Sequence, residues 1–175
     1  MTTPLSAQGR RLGELKDVAA WQSGLAGVEK CLAVVTKIPH GTASTDYAFK
    51  IGSLQTYNGT TTRRDLYAPN TLIPGFTGTA YYYITRAIVN NPSADLSLAT
   101  SSLYTAASAG GTAIISDAAL TTLNAATATL NATRTIAAGG TGNLFTSAAN
   151  GTLYYRVGTN VTGNADFYLF GFLLP

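Results

Sequence analysis

The sequence predicts an all-β protein in which two antiparallel sheets pack into a sandwich, and three observations lead to this fold class. Short stretches rich in β-branched and aromatic residues recur along the 175-residue chain, and clusters of Gly, Pro and Asn separate them. Charged residues make up only 11% of the chain, against about 25% in average proteins. The last stretch of the chain would be apolar on both faces of a strand.

That last stretch, Phe167 to Leu174, carries no charge, and every residue in it except Gly171 is aromatic or aliphatic. Successive side chains of a strand point to opposite faces, so one face is expected to enter the core. The other face would promote aggregation if exposed, and we therefore predict that it contacts another subunit. The core-facing set is Phe167, Leu169 and Leu173. The predicted subunit-contact residues are Tyr168, Phe170, Phe172 and Leu174.

The remaining elements follow from the same signals. Ser116-Asp117 predicts the cap of a short helical turn through Leu123, and Arg63 to Gly78 is expected to be a loop. Alternating Thr residues favour a strand over an Ala-rich helix at Thr127–Ile136. The predicted strands are Leu32–Ile38, Tyr47–Ile51, Thr79–Val89, Leu96–Tyr104, Thr127–Ile136, Leu144–Thr146, Thr152–Val157 and Phe167–Leu174.

Eight to ten short strands between Gly, Pro and Asn turns are typical of a sandwich, and a jelly roll is the expected topology. The pattern does not fix the strand order. We expect Thr152–Val157 to pair with Phe167–Leu174 across the loop that joins them.

The chain is predicted to contain an N-terminal arm, residues 1–30, and one β-sandwich domain, residues 31–175. Five of the eleven basic residues fall in the first 37 positions. Leu12, Leu15 and Ala19 have helical spacing, but glycines interrupt any long helix. The arm either docks on a neighbouring protein or is a poorly ordered terminus.

The charge pattern does not indicate binding to nucleic acid or insertion into a membrane. The net charge is +3, but the basic residues are scattered and form only the doublets Arg10-Arg11 and Arg63-Arg64. The first residues lack the basic and apolar regions of a signal peptide. No apolar run approaches the roughly 20 residues of a membrane helix.

The residues that usually carry chemistry are few and dispersed, so we expect no catalytic residue, no cofactor and no metal site. His40, the single histidine, stands in a Pro-His-Gly turn and is expected to be exposed. Cys31, the single cysteine, is expected to be a buried inert thiol. One residue of each type cannot close a zinc site. The protein is therefore not expected to be an enzyme.

Three consecutive tyrosines, Tyr81 to Tyr83, allow two interpretations. They would form a carbohydrate-binding platform if exposed together. More often such residues fill both faces of a buried strand.

The stretches Gly151–Val157 and Ala165–Phe172 resemble the small auxiliary virion proteins of tailed bacteriophages, in particular head decoration, or cement, proteins. Many of these are compact β-folds that sit as trimers on the outside of the capsid. The resemblance implies a homotrimer on the virion surface, the major capsid protein as partner and no active site. The charged arm fits a capsid anchor, with Arg10, Arg11 and Lys16 as hypothetical contact residues.

The sequence therefore leads us to expect a non-enzymatic virion structural protein that stabilises the phage head by binding between capsid subunits. The alternative is a receptor- or carbohydrate-binding head of a tail fibre. In that case Tyr81 to Tyr83, or the loop from Gly158 to Asn164, would touch the ligand.

Overall fold

The structure, a computed structural model, describes residues 29–51, 53–57, 61–65, 81–127, 130–137, 144–146 and 152–174. Within these ranges every regular element is a strand. There are eleven strands, against the eight to ten expected. They are β1 (Lys30–Pro39), β2 (Thr45–Lys50), β3 (Ser53–Tyr57), β4 (Thr61–Asp65), β5 (Tyr81–Asn90), β6 (Thr100–Ala106), β7 (Gly110–Ala119), β8 (Asn131–Arg134), β9 (Leu144–Thr146), β10 (Thr152–Val157) and β11 (Asn164–Leu174).

The strands form two sheets. The large sheet has the order β4-β3-β1-β11-β5-β8, with β9 also paired to β5, and the small sheet has the order β2-β10-β6-β7. Neighbouring strands are antiparallel except β1 and β3, which are parallel. The predicted all-β sandwich of two mostly antiparallel sheets is confirmed.

The strand pairing is nested from the ends of the chain inward. β1 pairs with β11, β2 with β10, β5 with β8 and β9, and β6 with β7. Early strands thus pair with late ones, and the chain crosses several times between the two sheets, which is the arrangement of a jelly roll. The β3–β4 hairpin is an insertion that extends the large sheet beyond β1.

The core lies between the two sheets. Phe167 on β11 packs against Phe49 on β2 and Tyr155 on β10, with ring centroids 5.7 and 4.9 Å apart. All three rings are buried. Because Phe167 belongs to the large sheet and its two partners to the small one, this cluster joins the sheets. Full burial of one such phenylalanine stabilises the fold by about 1.5–3 kcal/mol.

β11 lies at the centre of the large sheet, between β1 and β5. Phe167 and Leu169 point into the core and are fully buried. Tyr168, Phe170 and Phe172 lie on the outer face and are half-buried. These are the two faces that the period-two alternation predicts.

A bulge near the end of β11 brings two backbones close together. Phe170 lies opposite Arg86 and Gly171 opposite Ile84, so β5 has one extra residue, Thr85, at this point. A Cβ on Gly171 would lie 2.1 Å from the carbonyl oxygen of Tyr83. Only glycine therefore fits here without a backbone shift.

The strand opposite β5 is interrupted. β8 pairs with the Ala87–Asn90 half of β5, and β9 pairs with its Tyr81–Tyr83 half. The strand predicted for Thr127–Ile136 is thus shorter than expected, since β8 spans only Asn131–Arg134. Its alternation is as predicted there: Ala132 and Arg134 are buried, whereas Thr133 is exposed.

The expected pairing of Thr152–Val157 with Phe167–Leu174 is wrong. β10 lies in the small sheet between β2 and β6, whereas β11 lies in the large sheet. The connecting loop crosses between the sheets, where Gly158 donates to the carbonyl of Thr100 and His40 donates to the carbonyl of Gly163. A tight turn forces the two strands that it joins to pair as a hairpin. The loop between β10 and β11 is too long to impose such a pairing.

The predicted helical turn at Ser116-Asp117 is also wrong, because β7 continues through both residues to Ala119. The carboxylate of Asp117 accepts a hydrogen bond from the hydroxyl of Thr100 on β6, at 3.1 Å. A side chain that could cap a helix instead bonds across two strands. Similarly, the strand predicted from Leu96 begins only at Thr100.

The β3–β4 hairpin was not predicted. Arg63 and Arg64 were assigned to a loop but belong to β4, in register with Gln55 and Leu54 of β3. Charged residues are not typical of strands, so the sequence signal was weak. The remainder of the predicted loop, residues 66–78, lies outside the described residues.

Candidate assembly surface

The outer face of the large sheet carries an apolar surface at its centre. Tyr83 on this face is 40% exposed, and the other members are half-buried. We call this set the outer patch, and it consists of Cys31, Val34, Leu54, Tyr83, Ile88, Tyr168, Phe170 and Phe172.

One row of the outer patch crosses four neighbouring strands. Val34 lies opposite both Leu54 and Tyr168, and Tyr168 lies opposite Ile88. Facing side chains of paired strands lie close together, so these four side chains form a continuous apolar row. We call it the four-strand row.

The rest of the outer patch lies toward the start of β1. Cys31 is opposite Phe170, and Phe172 is opposite Tyr83. We call these residues, Cys31, Tyr83, Phe170 and Phe172, the lower half of the patch. Cys31 was predicted to be buried, but it is only half-buried, because it lies on the outer face and not in the core. Burial nevertheless raises the pKa of its thiol.

Arg86 is the charged residue at the centre of this surface. Its guanidinium lies over the Phe170 ring, 4.2 Å from the ring centroid, a cation–π geometry. Its Nε donates to Glu29 at 3.0 Å, and its second terminal nitrogen lies 2.9 Å from the same carboxylate oxygen. The hydroxyl of Thr85 donates to the other oxygen of Glu29. Hydrogen bonds from Thr85 and Arg86 lower the pKa of Glu29.

Glu29 and Arg86 were not singled out by the sequence. Arg86 lies two residues after Ile84 and four after Tyr82 on β5, and both of those residues are buried. A strict period-two pattern would therefore place Arg86 in the core. The bulge at Thr85 reverses the alternation and turns Arg86 outward.

His40 is fully buried, so the prediction of an exposed turn histidine is wrong. Its Nδ1 lies 3.0 Å from the carbonyl oxygen of Ile38, which can only accept, so Nδ1 carries the proton. Nε2 then accepts from the hydroxyl of Tyr155, at 3.0 Å. The backbone of His40 also binds the loop at Gly163 and Val161. Both ring nitrogens thus have partners in the interior, and the ring is inaccessible to a substrate.

Arg134 is a buried cation that links the two sheets. It extends from β8 of the large sheet and donates to the backbone carbonyls of Ser101, Ser116 and Ala119, at 2.7 to 3.3 Å. Two of these carbonyls belong to β7, which ends the small sheet on this side. A third β7 carbonyl, that of Ile114, accepts from the backbone of Ala137. The edge of β7 is therefore partly closed to another strand.

The opposite edge of the small sheet, β2, is also partly closed by side chains. The carbonyl of Ala48 on β2 accepts from the amide of Gln55 at 3.0 Å and from the hydroxyl of Tyr57 at 2.7 Å. Both donors belong to β3 of the large sheet. Burial raises the pKa of Tyr57 to about 12, so the hydroxyl remains a donor at neutral pH.

The other predicted site residues divide into three groups. Leu174 ends β11 opposite Tyr81, but the structure describes neither its side chain nor that of Tyr81. Tyr82 is buried and Tyr83 is 40% exposed, so these two tyrosines point to opposite faces of β5. Arg10, Arg11 and Lys16 lie outside the described residues, as does the arm up to residue 28.

Comparison of the chain with protein-family models, curated proteins and solved structures found no match. In the described part of the chain, no helix is long and apolar enough to span a bilayer. The same part contains no group of three or more His, Cys, Asp or Glu residues arranged to hold a metal ion.

Proposed function

We propose that this protein is a non-enzymatic structural protein of a tailed-phage virion. In this role it is a homotrimeric decoration, or cement, protein on the capsid surface, bound between subunits of the major capsid protein. The observation that carries the proposal is the outer patch, an apolar surface at the centre of the large sheet. Such a surface, surrounded by polar residues, is typical of a site of protein association.

The side chains of β11 supply the energy of this association. Full burial of a large apolar side chain contributes about 1.5–3 kcal/mol. Tyr168, Phe170 and Phe172 start half-buried, so each would contribute part of that amount. A closed cyclic assembly repeats the contact in every subunit. Leu174 belongs to the same proposed contact.

The partly closed edges of the small sheet support association through a face. Arg134 occupies carbonyls of β7, and Gln55 and Tyr57 occupy one of β2. Strand addition at those edges would have to displace these donors. The capsid contact is proposed to involve the arm, with Arg10, Arg11 and Lys16 as anchor residues.

A matched pair of substitutions on β11 tests the trimer. Phe170→Asp places a charge on the outer face, and Leu169→Asp places one in the core. We expect Phe170→Asp to remain folded but monomeric by sedimentation velocity, because the side chain lies on the outer face and its replacement leaves the core between the sheets unchanged. Leu169→Asp should fail to fold, because an unpaired charge in the interior costs several kcal/mol. A Phe170→Asp variant with the oligomeric mass of the unmodified protein would contradict the proposed contact.

Binding to the capsid requires a separate experiment. The purified protein should co-sediment with empty capsids of its phage and raise the temperature at which they break open. An Arg10→Ala, Arg11→Ala, Lys16→Ala triple variant should bind more weakly, since it removes three positive charges from the arm. Failure of the unmodified protein to bind such capsids would contradict the decoration role.

The partly exposed ring of Tyr83 favours a second candidate, the receptor- or carbohydrate-binding head of a tail fibre. Thr159 and Asn160 of the loop after β10 are also exposed. A glycan array and a host-cell binding assay distinguish this function from decoration. Saturable glycan binding that is lost on Tyr83→Ala would favour the tail-fibre role.

A further inference from the structure

The interior of the sandwich contains two buried polar groups that lack a hydrogen-bond partner. Ser101 on β6 is 1% exposed and Arg134 on β8 is 7% exposed. Both side chains point inward, because Ser101 lies opposite the buried Val157 and Arg134 follows the buried Ala132 by two residues. Among the described residues, no group lies within hydrogen-bond distance of Ser101 Oγ or of Arg134 Nε. Leaving such groups unpaired in a core is costly.

These two groups lie close to each other and to the hydroxyl of Tyr155. A terminal nitrogen of Arg134 donates to the backbone carbonyl of Ser101 at 2.7 Å. Burial raises the pKa of Tyr155, and the nearby Ser101 hydroxyl and Arg134 charge oppose this effect in part. The hydroxyls of Ser101 and Tyr155 are thus neighbours, but they are too far apart for a direct hydrogen bond. Polar groups from β6, β8 and β10 therefore surround one point between the sheets.

The hydrogen-bonding capacity of these groups defines what they can bind. The Nε–H of Arg134 can only donate. The Tyr155 hydroxyl gives its proton to His40, so its oxygen is left to accept. The Ser101 hydroxyl can do both. A ligand at this point must therefore accept from Arg134 and donate to Tyr155. Water does both, whereas a halide ion can only accept and a cation is repelled by the guanidinium.

We propose that one ordered water molecule is bound inside the sandwich, between Arg134 Nε, Ser101 Oγ and the Tyr155 hydroxyl. Three partners are the usual number for a buried water. The inward side chains beside the guanidinium on β8 and β6, Ala132 and Ser101, are both small, as such a site requires. The water extends the hydrogen-bonded chain that begins at His40 through Tyr155 to Arg134, and so connects the loop after β1 with the edge of β7.

Nuclear magnetic resonance of the ¹⁵N-labelled full-length protein tests the site directly. The Nε–H proton of Arg134 should show a cross-peak to the water resonance, with the sign of a water that stays bound for longer than a nanosecond. Arg156 is the matched control, because its side chain is partly exposed and meets water that exchanges rapidly. Its Nε–H should show no cross-peak of that sign.

A pair of neighbouring serines gives a second test. Ser101→Ala removes one partner of the water and should increase the unfolding equilibrium constant about fivefold, the effect of losing one hydrogen bond of ordinary strength. Ser102→Ala is the matched control. Ser102 is equally buried and its hydroxyl is also unpaired in the described structure, but it lies opposite Arg156 and faces away from the cluster. Removing this hydroxyl should leave the constant unchanged or decrease it.

Three results would overturn the inference. A Ser101→Ala variant at least as stable as Ser102→Ala would show that the Ser101 hydroxyl binds nothing. An Arg134 Nε–H without the water cross-peak would show the same for the guanidinium. Bromide density at this point in crystals grown with bromide would identify an anion as the ligand. None of these measurements depends on the oligomeric state or on the virion role, so failure of the proposed function and failure of this site are separate results.

Discussion

At the residue scale, His40 shows how a polar side chain can be accommodated in an apolar interior. The carbonyl of Ile38 and the hydroxyl of Tyr155 satisfy its two ring nitrogens, so the neutral ring is stable there. A protonated His40 ring would have no counter-ion among the groups bonded to it. Its Nε2 would also become a donor, so the hydroxyl of Tyr155 would have to turn its own proton away from the ring. Burial accordingly lowers the pKa of His40 from 6.5 to about 4.

This pKa predicts how stability depends on pH. Between about pH 6.5 and pH 4 the unfolded chain binds a proton at His40 that the folded chain does not. The contribution of His40 to the free energy of unfolding is therefore complete above pH 6.5 and is lost as the pH falls through this window. We expect the free energy of unfolding to fall by about 2 kcal/mol from this residue between pH 7 and pH 4.5.

Urea denaturation at the two pH values measures the effect, and His40→Gln is the control. The variant lacks the titrating group, so its stability should fall less over the same range, by the amount assigned to His40. The carboxylates titrate in both proteins and cancel in the difference. Equal losses for the two proteins would contradict the assignment.

A second residue-scale feature is the carboxylate of Asp166, which fixes two unusual backbone positions. It accepts from the backbone of Lys37 at 2.8 Å and from the side chain of Asn91 at 3.2 Å. Lys37 and Asn91 both have positive φ, 56° and 53°. Left-handed conformations are unfavourable for lysine, so a well-placed acceptor is needed to hold the chain there.

At the element scale, the β7 edge depends on a side chain from the other sheet. Arg134 is 7% exposed and spans from β8 to three carbonyls. Burial lowers the pKa of Arg134, partly opposed by the nearby negative charge of Asp117, but guanidinium remains charged in proteins. Without the Arg134 side chain, those carbonyls would either be buried without a donor or be open to strand addition.

We predict that Arg134→Met lowers the free energy of unfolding by about 3 kcal/mol, because it leaves three acceptors without their charged donor. The variant should also aggregate, since the edge of β7 becomes accessible. Urea denaturation and light scattering measure the two effects. Arg156→Met is the matched control. It removes a partly exposed ion pair with Asp46 and should cost about 1 kcal/mol or less. Equal losses in the two variants would argue against an edge-closing role.

At the scale of the whole molecule, the nested pairing makes the last strand as important as the first. β11 provides hydrogen bonds to β1 on one side and β5 on the other. It also carries Phe167, whose ring contacts two strands of the small sheet. The domain thus closes only when the end of the chain is in place.

Deletion of residues 167–175 should therefore prevent folding as well as assembly. The large sheet would be split between β1 and β5, and Phe49 and Tyr155 would lose their partner. Expression of the truncated chain, followed by circular dichroism of any soluble fraction, tests this. Removal of Pro175 alone should have little effect, because β11 ends at Leu174. A soluble, folded chain ending at Asp166 would contradict the prediction.

Local patterns in the sequence determined the β class, most of the strands and the two faces of β11. β9, at Leu144–Thr146, was predicted to the residue, because a Gly-rich stretch precedes it and an Asn-Gly pair follows it in the sequence. The alternation along Phe167–Leu174 separated core from outer side chains, because a strand has a period of two residues wherever it lies. These features depend on neighbours in the sequence.

Only the tertiary structure decided the partner of each strand, the burial of His40, the cross-sheet role of Arg134 and the meeting of Glu29 with Arg86. Each depends on residues far apart in the chain, such as His40 and Tyr155, which are separated by 115 positions. A one-residue bulge at Thr85 was enough to turn Arg86 to the outer face, although strict alternation from Tyr82 and Ile84 would have placed it on the core face. Local preference specifies a strand, whereas pairing and burial are set by the free energy of the whole packed sandwich.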